Sequence, residues 1–240
     1  MSSAALRTVL ARIDECVARD VLPIVVFDLD STLFSTAARN FRILTEFVET
    51  HGRGDSHLTS IFASLGEQDM RWNVRDDLRR HGFADEALLG RLRDFWASRF
   101  FSDRYLLYDR PMPGAVAYVH ACHVRGALVY YLTGRHVGGM EVGTVQALTQ
   151  HGFPFWRGRC VVHLKPSSAM GDRAFKDDAL ADVRSYRGEV VATFENEPGN
   201  ANLFLRGFPS ALHFLMLTIH SPDAEPPAPE LIGCKDFVLD

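Results

Sequence analysis

Two aspartates, Asp28 and Asp30, stand one residue apart at the end of the apolar run Ile24-Val25-Val26-Phe27, and Thr32 follows two residues later. Carboxylates this close can divide nucleophilic attack and proton transfer between them. Each also raises the proton affinity of the other, which suits one of the pair to proton donation. The run leading into them shows no polar alternation. That is the pattern of a strand buried on both faces, which in α/β proteins is a parallel strand. Pro23 at its start is tolerated because a strand's first residue need not donate to the ladder. Ligands of open parallel sheets gather at the carboxyl ends of strands, so chemistry is expected at Asp28 and Asp30.

The elements that must position these groups follow from periodicity. Leu6, Val9, Leu10, Ile13 and Val17 share one face of a leading helix. Apolar runs at 127–132, 160–164, 189–194 and 211–217 read as further buried strands. Helical patterns at 115–123, 138–150 and 174–186 lie between the earlier of them. Strands alternating with helices define an α/β fold with a Rossmann-like parallel sheet and right-handed crossovers. Residues 34–110 differ: Phe41, Leu44, Phe47 and Val48 have helical spacing, Asp85 is a helix N-cap candidate, and no strand-like run occurs. The expected organisation is a discontinuous core, 1–33 and 111–240, with an all-helical insertion at 34–110. The segment 221–230 is Pro-rich and extended, and the residues after it are expected to lie on the surface.

Composition sets bounds. At 240 residues, 47% hydrophobic and 23% charged, this is an ordinary globular chain. A net charge of -4 argues against a nucleic-acid partner. No apolar run approaches the ~20 residues needed to span a bilayer, and the N-terminus lacks a signal-peptide pattern, so no membrane association is expected. Cys16, Cys122, Cys160 and Cys234 are scattered without metal-ligand spacing and read as reduced thiols of a cytoplasmic protein. Oligomeric state has no signature here.

Polar groups recur where the strands end. Thr133 closes the second strand in Leu132-Thr133-Gly134-Arg135, and Glu195-Asn196-Glu197-Pro198 closes the fourth. Only Lys165 and Lys176 lie between them. With Asp28, Asp30 and Thr32 as a DxDxT motif, this order resembles the haloacid dehalogenase superfamily of hydrolases, in its phosphatase form. The resemblance runs from about Val21 to His220, and it places 34–110 where that family inserts a helical cap of the C1 type.

The resemblance implies a Mg²⁺-dependent phosphatase acting on a small-molecule phosphate monoester through an aspartyl-phosphate. Phosphotransferase, nucleotidase and non-catalytic binding protein are the alternatives. Asp28 would be the nucleophile and Asp30 the general acid/base. Thr133 would hydrogen-bond a phosphoryl oxygen. Lys176, in the helix leading into the fourth strand, would neutralise charge, with Lys165 the alternative. Mg²⁺ would be held by Asp28, the Asp30 backbone carbonyl, Asn196 and Glu195, since this ion prefers oxygen ligands. The last motif departs from the common GDxxxD form, which leaves its register among Glu195, Asn196 and Asn200 open. Arg135 could face the substrate or pair with an acid at the sheet edge. The insertion's twelve arginines, Arg39 and Arg71 among them, could grip a second anion or form ion pairs on solvated helix faces. Trp72, Trp96, Phe95, Phe100 and Phe101 have the spacing of an insertion core, with a specificity surface the other possibility.

Overall fold

The computed structural model describes residues 2–155 and 158–239. Trp156, expected to pack in a loop with Pro154 and Phe155, lies outside the described residues. Helix α1 (Ser2–Ala18) leads into β1 (Pro23–Phe27), and the short β2 (Phe34–Ser35) opens the insertion. There follow α2 (Ala37–His51), α3 (Ser56–Ala63), a 3₁₀ turn at Glu67–Asp69, α4 (Val74–Arg80), α5 (Glu86–Phe100) and α6 (Asp103–Leu106). The two-residue β3 (Arg110–Pro111) pairs antiparallel with β2 and closes the insertion where it began. Then come α7 (Ala115–Val124), β4 (Leu128–His136), α8 (Val137–Gln150), β5 (Cys160–Lys165) and α9 (Asp172–Ser185). The chain ends with β6 (Glu189–Glu195), α10 (Pro198–Gly207), β7 (Leu212–Met216) and β8 (Ile232–Cys234).

Six strands form one parallel sheet in the order β5-β4-β1-β6-β7-β8. Successive side chains of a strand point to opposite faces, and both faces are covered. Val25, Phe27, Val129 and Tyr131 join residues of α1, α7 and α8 on one side. Ile24, Val26, Leu128 and Tyr130 meet α9 and α10 on the other. That double burial is why β1 shows no alternation. Helices α2 to α5 bury a separate cluster around Leu44, Phe47, Leu78 and Leu92. Asp55, Asn73 and Asp85 each cap a helix of the insertion by accepting an N–H in its first turn.

Four features depart from the sequence expectation. The tail is part of the sheet: β8 pairs parallel with β7, and Phe237 lies against Phe194, with ring centroids 5.3 Å apart. The Pro-rich segment is tied down by Asn202, which donates to Glu225 and to the Pro226 carbonyl. Helix α10 begins at Pro198, in a stretch that reads as loop; proline suits a first helical position, where no N–H is needed. Strand β4 continues through Thr133-Gly134-Arg135 to His136, rather than ending before them. Gly114 is obligatory for the tail: it has φ +75°, and a Cβ there would lie 2.5 Å from the Phe237 carbonyl carbon.

Among the described residues no helix is long and apolar enough to cross a membrane, and no disulfide joins the cysteines. Phe194 stacks between Phe27 and Phe214, with centroids at 4.8 and 4.5 Å, and has no exposure. Phe194→Ala should therefore cost about 3–5 kcal/mol, read as a lowered urea midpoint.

Candidate active site

The site lies where the chain reverses direction across the sheet. From β1 it moves to β4 and β5, then returns past β1 to β6. A crevice opens at such a switch point, at the carboxyl ends of the strands. Asp28 leaves β1 there, Thr133 lies near the end of β4, and Glu195-Asn196 ends β6. The Asp28 N–H donates to the Phe194 carbonyl at 3.0 Å, which holds the β1 and β6 ends side by side. Helix α9 crosses back between β5 and β6 and brings Lys176 over the same point. A cavity of ≈ 370 Å³ opens here, lined by Asp28, Asp30, Thr133, Lys165, Lys176, Glu195 and Asn196 among others.

Of the two candidate lysines, Lys176 reaches the aspartate. Its Nζ donates to Asp28 Oδ1 at 2.9 Å and to Glu195 Oε2 at 2.7 Å, and Asp172 Oδ2 lies 3.8 Å away. All three bonded groups are buried. Burial opposes charge on Lys176, but the surrounding carboxylates outweigh it and hold the ammonium well above its usual range. Burial likewise pushes Asp28 up, against the pull of Lys176, and Glu195 adds to the rise. One ammonium thus faces three carboxylates, leaving an excess of negative charge at the cavity floor.

Glu195 has both oxygens engaged. Oε2 takes the Lys176 bond, and Oε1 accepts from the backbone N–H groups of Asn196 and Glu197 at 3.1 and 3.0 Å. In this arrangement the Glu195 carboxylate anchors Lys176. Asn196 is differently placed. Its Nδ2 donates to the Ile219 carbonyl at 2.7 Å, while Oδ1 accepts from the Thr32 hydroxyl at 3.3 Å. Asn200 donates to Asp172 Oδ2 instead, at 3.2 Å, and Glu197 accepts from the Ser221 N–H.

Asp30 lies on a tight turn: Ser31 has φ 58°, and the Leu29 carbonyl accepts from Thr32, Leu33 and Phe34. Its carboxylate is held by two arginines. Oδ1 accepts from Arg39 Nη2 at 2.7 Å and from Arg135 Nη2 and Nε at 2.5 and 3.1 Å. Both arginines also bond Asp109, Arg39 through two hydrogen bonds at 2.8 and 3.0 Å and Arg135 through one at 2.8 Å. Arg39, Arg135 and Asp109 are almost fully buried. The groups bonded to the Asp30 carboxylate are two guanidinium cations rather than a second carboxylate. Burial does raise its proton affinity, but the two guanidinium groups outweigh that and hold Asp30 down at about 2.

Asp109 and the pairing of Arg39 were not anticipated. Asp109 precedes Arg110-Pro111 at the end of the insertion, and nothing in its neighbourhood marks it as the partner of a residue seventy positions earlier. Asp172, also at the cavity wall, was missed for the same reason. The aromatic group divides. Phe95 and Trp96 pack on the insertion core, but Trp96 also faces the cavity with Trp72, Phe100 and Phe101. Trp96 is fixed by its Nε1 donating to Asn40 Oδ1 at 2.8 Å.

No family model matches the sequence, and no curated protein matches it. Solved structures do match in shape. One is a haloacid dehalogenase-like family hydrolase of Streptococcus pneumoniae, at 11% identity, covering 90% of this chain and 95% of that one, with a TM-score of 0.54. Another is a provisionally assigned phosphatase of Clostridium difficile, at 11% identity, covering 85% and 89%, with a TM-score of 0.54. A third is protein tyrosine kinase A of Mycobacterium tuberculosis, at 15% identity, covering 89% and 94%, with a TM-score of 0.52. This chain has the fold of the haloacid dehalogenase-like hydrolases. At such identities the likeness establishes the fold, and the chemistry must be argued from the site.

Asp109→Ala would leave two buried arginines facing one carboxylate. Breaking a buried pair this way costs about 3–5 kcal/mol, so the variant should show a clearly lowered urea midpoint, and Asp109→Asn a smaller loss.

Proposed function

We propose that this protein is a Mg²⁺-dependent phosphatase that hydrolyses a small-molecule phosphate monoester. The observation that carries the reading is Lys176 bridging Asp28 and Glu195 at the floor of a cavity that Thr133 and Asn196 also line. Asp28 presents a carboxylate oxygen for attack on phosphorus; the ester P–O bond breaks as the aspartyl-phosphate forms, and the departing alkoxide takes a proton from water and leaves as the alcohol, so that a slow reaction is divided into two steps. Lys176 stays beside the nucleophile and offsets charge on the phosphoryl group, held in place by Glu195. Thr133 hydrogen-bonds a phosphoryl oxygen, and its backbone is held by β4. Asp30, kept as a carboxylate by Arg39 and Arg135, takes the proton from the water that hydrolyses the intermediate.

The residues fit a Mg²⁺ ion. The floor carries excess negative charge, and the available donors are oxygens: the Asp28 carboxylate, the Asp30 backbone carbonyl and Asn196 Oδ1. Among the described residues no cluster of three or more His, Cys, Asp or Glu side chains forms a metal site. A set with few carboxylates suits an ion that retains several waters. When bound, the ion would polarise the phosphoryl group and offset the charge of Asp28.

A second reading is transfer of the phosphoryl group to an acceptor other than water, since a tyrosine kinase shares the fold. Phosphate release with no added acceptor is the expected result. Turnover that appears only when an alcohol or phenol is supplied would favour the second reading. Asp28→Asn should lower kcat by about a thousandfold or more, and EDTA should abolish turnover until Mg²⁺ is restored. Turnover that survives either treatment would exclude the mechanism. Asn196→Ala should raise the Mg²⁺ concentration needed for half-maximal rate more than Glu197→Ala does.

A further inference from the structure

The cavity is asymmetric, and its outer half has no part in the chemistry above. Four basic residues line the cavity as a whole: Arg71, Arg135, Lys165 and Lys176. Arg135 is engaged by Asp30 and Asp109, and Lys176 by Asp28 and Glu195. Arg71 is bonded only through its backbone, its N–H donating to Asp77 and its carbonyl accepting from Asn40. Among the described residues neither its guanidinium nor the Lys165 ammonium forms an ion pair, although the Arg71 charge acts on Asp77 from a distance. The insertion brings four aromatic rings to the same cavity, Trp96 and Phe100 from α5 and Trp72 and Phe101 from the segments outside its helices. Trp96 stacks on Phe100 with centroids 4.5 Å apart, and Phe101 meets both edge-on. Trp72 and Phe101 remain 49% and 46% exposed. Large rings left in water at the wall of a cavity mark a binding surface. Arg71, Trp72 and Ile219 also border an adjoining hollow with Thr218 and His220, which puts them at the cavity mouth.

We propose that the substrate is an aromatic phosphate monoester bearing a second anionic group. The ring is held against the Trp72–Trp96–Phe100 wall, and the second anion, a carboxylate or phosphate, is bound by Arg71. This rests on the phosphatase reading for the reacting end and adds the chemistry of the other end. The volume is at the lower limit for small-molecule sites, which fits a single ring and its substituents and excludes a folded protein surface. A planar guanidinium suits a bidentate grip on a carboxylate or phosphate. The Arg71 guanidinium makes no side-chain hydrogen bond or ion pair among the described residues, so it is available for this grip. An aliphatic body would leave the aromatic wall in water and forgo its stacking.

The test compares phenyl phosphate, 4-carboxyphenyl phosphate and 3-phosphoglycerate as substrates. The expected kcat/KM for 4-carboxyphenyl phosphate exceeds that for each of the others by about tenfold or more. In Arg71→Ala its advantage over phenyl phosphate should fall to near one, and Arg71→Lys should restore part of it. Trp72→Ala should narrow its advantage over 3-phosphoglycerate. Equal rates for the two aromatic substrates in the wild type would overturn the proposal. So would a preference that survives Arg71→Ala but is lost in Lys165→Ala. If the wild-type protein turns over none of the three, the phosphatase reading fails, and binding decides the proposal. Titration of tryptophan fluorescence with 4-carboxyphenyl phosphate should then show saturable quenching that Arg71→Ala weakens about tenfold; absence of quenching, or quenching unaffected by that substitution, would overturn it.

Discussion

The contact on which the arrangement of this molecule depends is the quartet of Asp30, Arg39, Arg135 and Asp109, buried except at Asp30. Two of its members come from the insertion and two from the carboxyl edge of the sheet. The insertion has its own apolar core, separate from the two that cover the sheet. Hydrophobic burial stabilises each unit but does little to specify how one lies on the other. Charges do. Two guanidinium forks and two carboxylates, all buried but for the partly exposed Asp30, tolerate only the geometry that pairs them all. The net stability from such a cluster is small, because desolvation offsets most of the attraction. Its effect is positional: it sets the insertion over the cavity and fixes the carboxylate of Asp30.

A second buried group, Asp28, Lys176 and Glu195, lies beside the first with the opposite imbalance. The quartet is neutral, whereas here two buried carboxylates share one ammonium with Asp172 nearby. Adjacent aspartates of one turn therefore sit in different electrostatic surroundings. Asp30 is held ionised by its arginines, and Asp28 is pressed toward its proton by burial and by Glu195. A shift of this kind in opposite directions separates the roles of two chemically identical groups. The excess charge at Asp28 is what a cation would offset, and the neutral quartet keeps that demand confined to one corner of the cavity.

Much of the fold was legible because its signals are local. Four strands beyond β1 and the helices of the core are encoded in periodicities of a few residues. The insertion's helices are likewise marked by Asp85 and by Phe41, Leu44, Phe47 and Val48. What was not legible had weak local signals. Strand β8 is three residues long, and helix α10 begins in a Glu-Pro-Gly-Asn run that is also good turn sequence. The candidate site divides the same way. Asp28, Asp30, Thr133 and the Glu195-Asn196 pair stand out because each closes an apolar run. Asp109 and Asp172 close none.

The sequence by itself determined that two carboxylates would emerge from a buried parallel strand at the edge where ligands bind, with further polar groups from neighbouring strand ends. Strand burial and strand ends follow from the order of apolar and polar residues along a few positions. Only the tertiary structure decided which partners those groups have: Lys176 rather than Lys165 at Asp28, Glu195 turned to Lys176, and two arginines on Asp30. Such pairings join residues up to 148 positions apart. They depend on how crossovers and an inserted helical unit are laid over the sheet, and no local pattern records that.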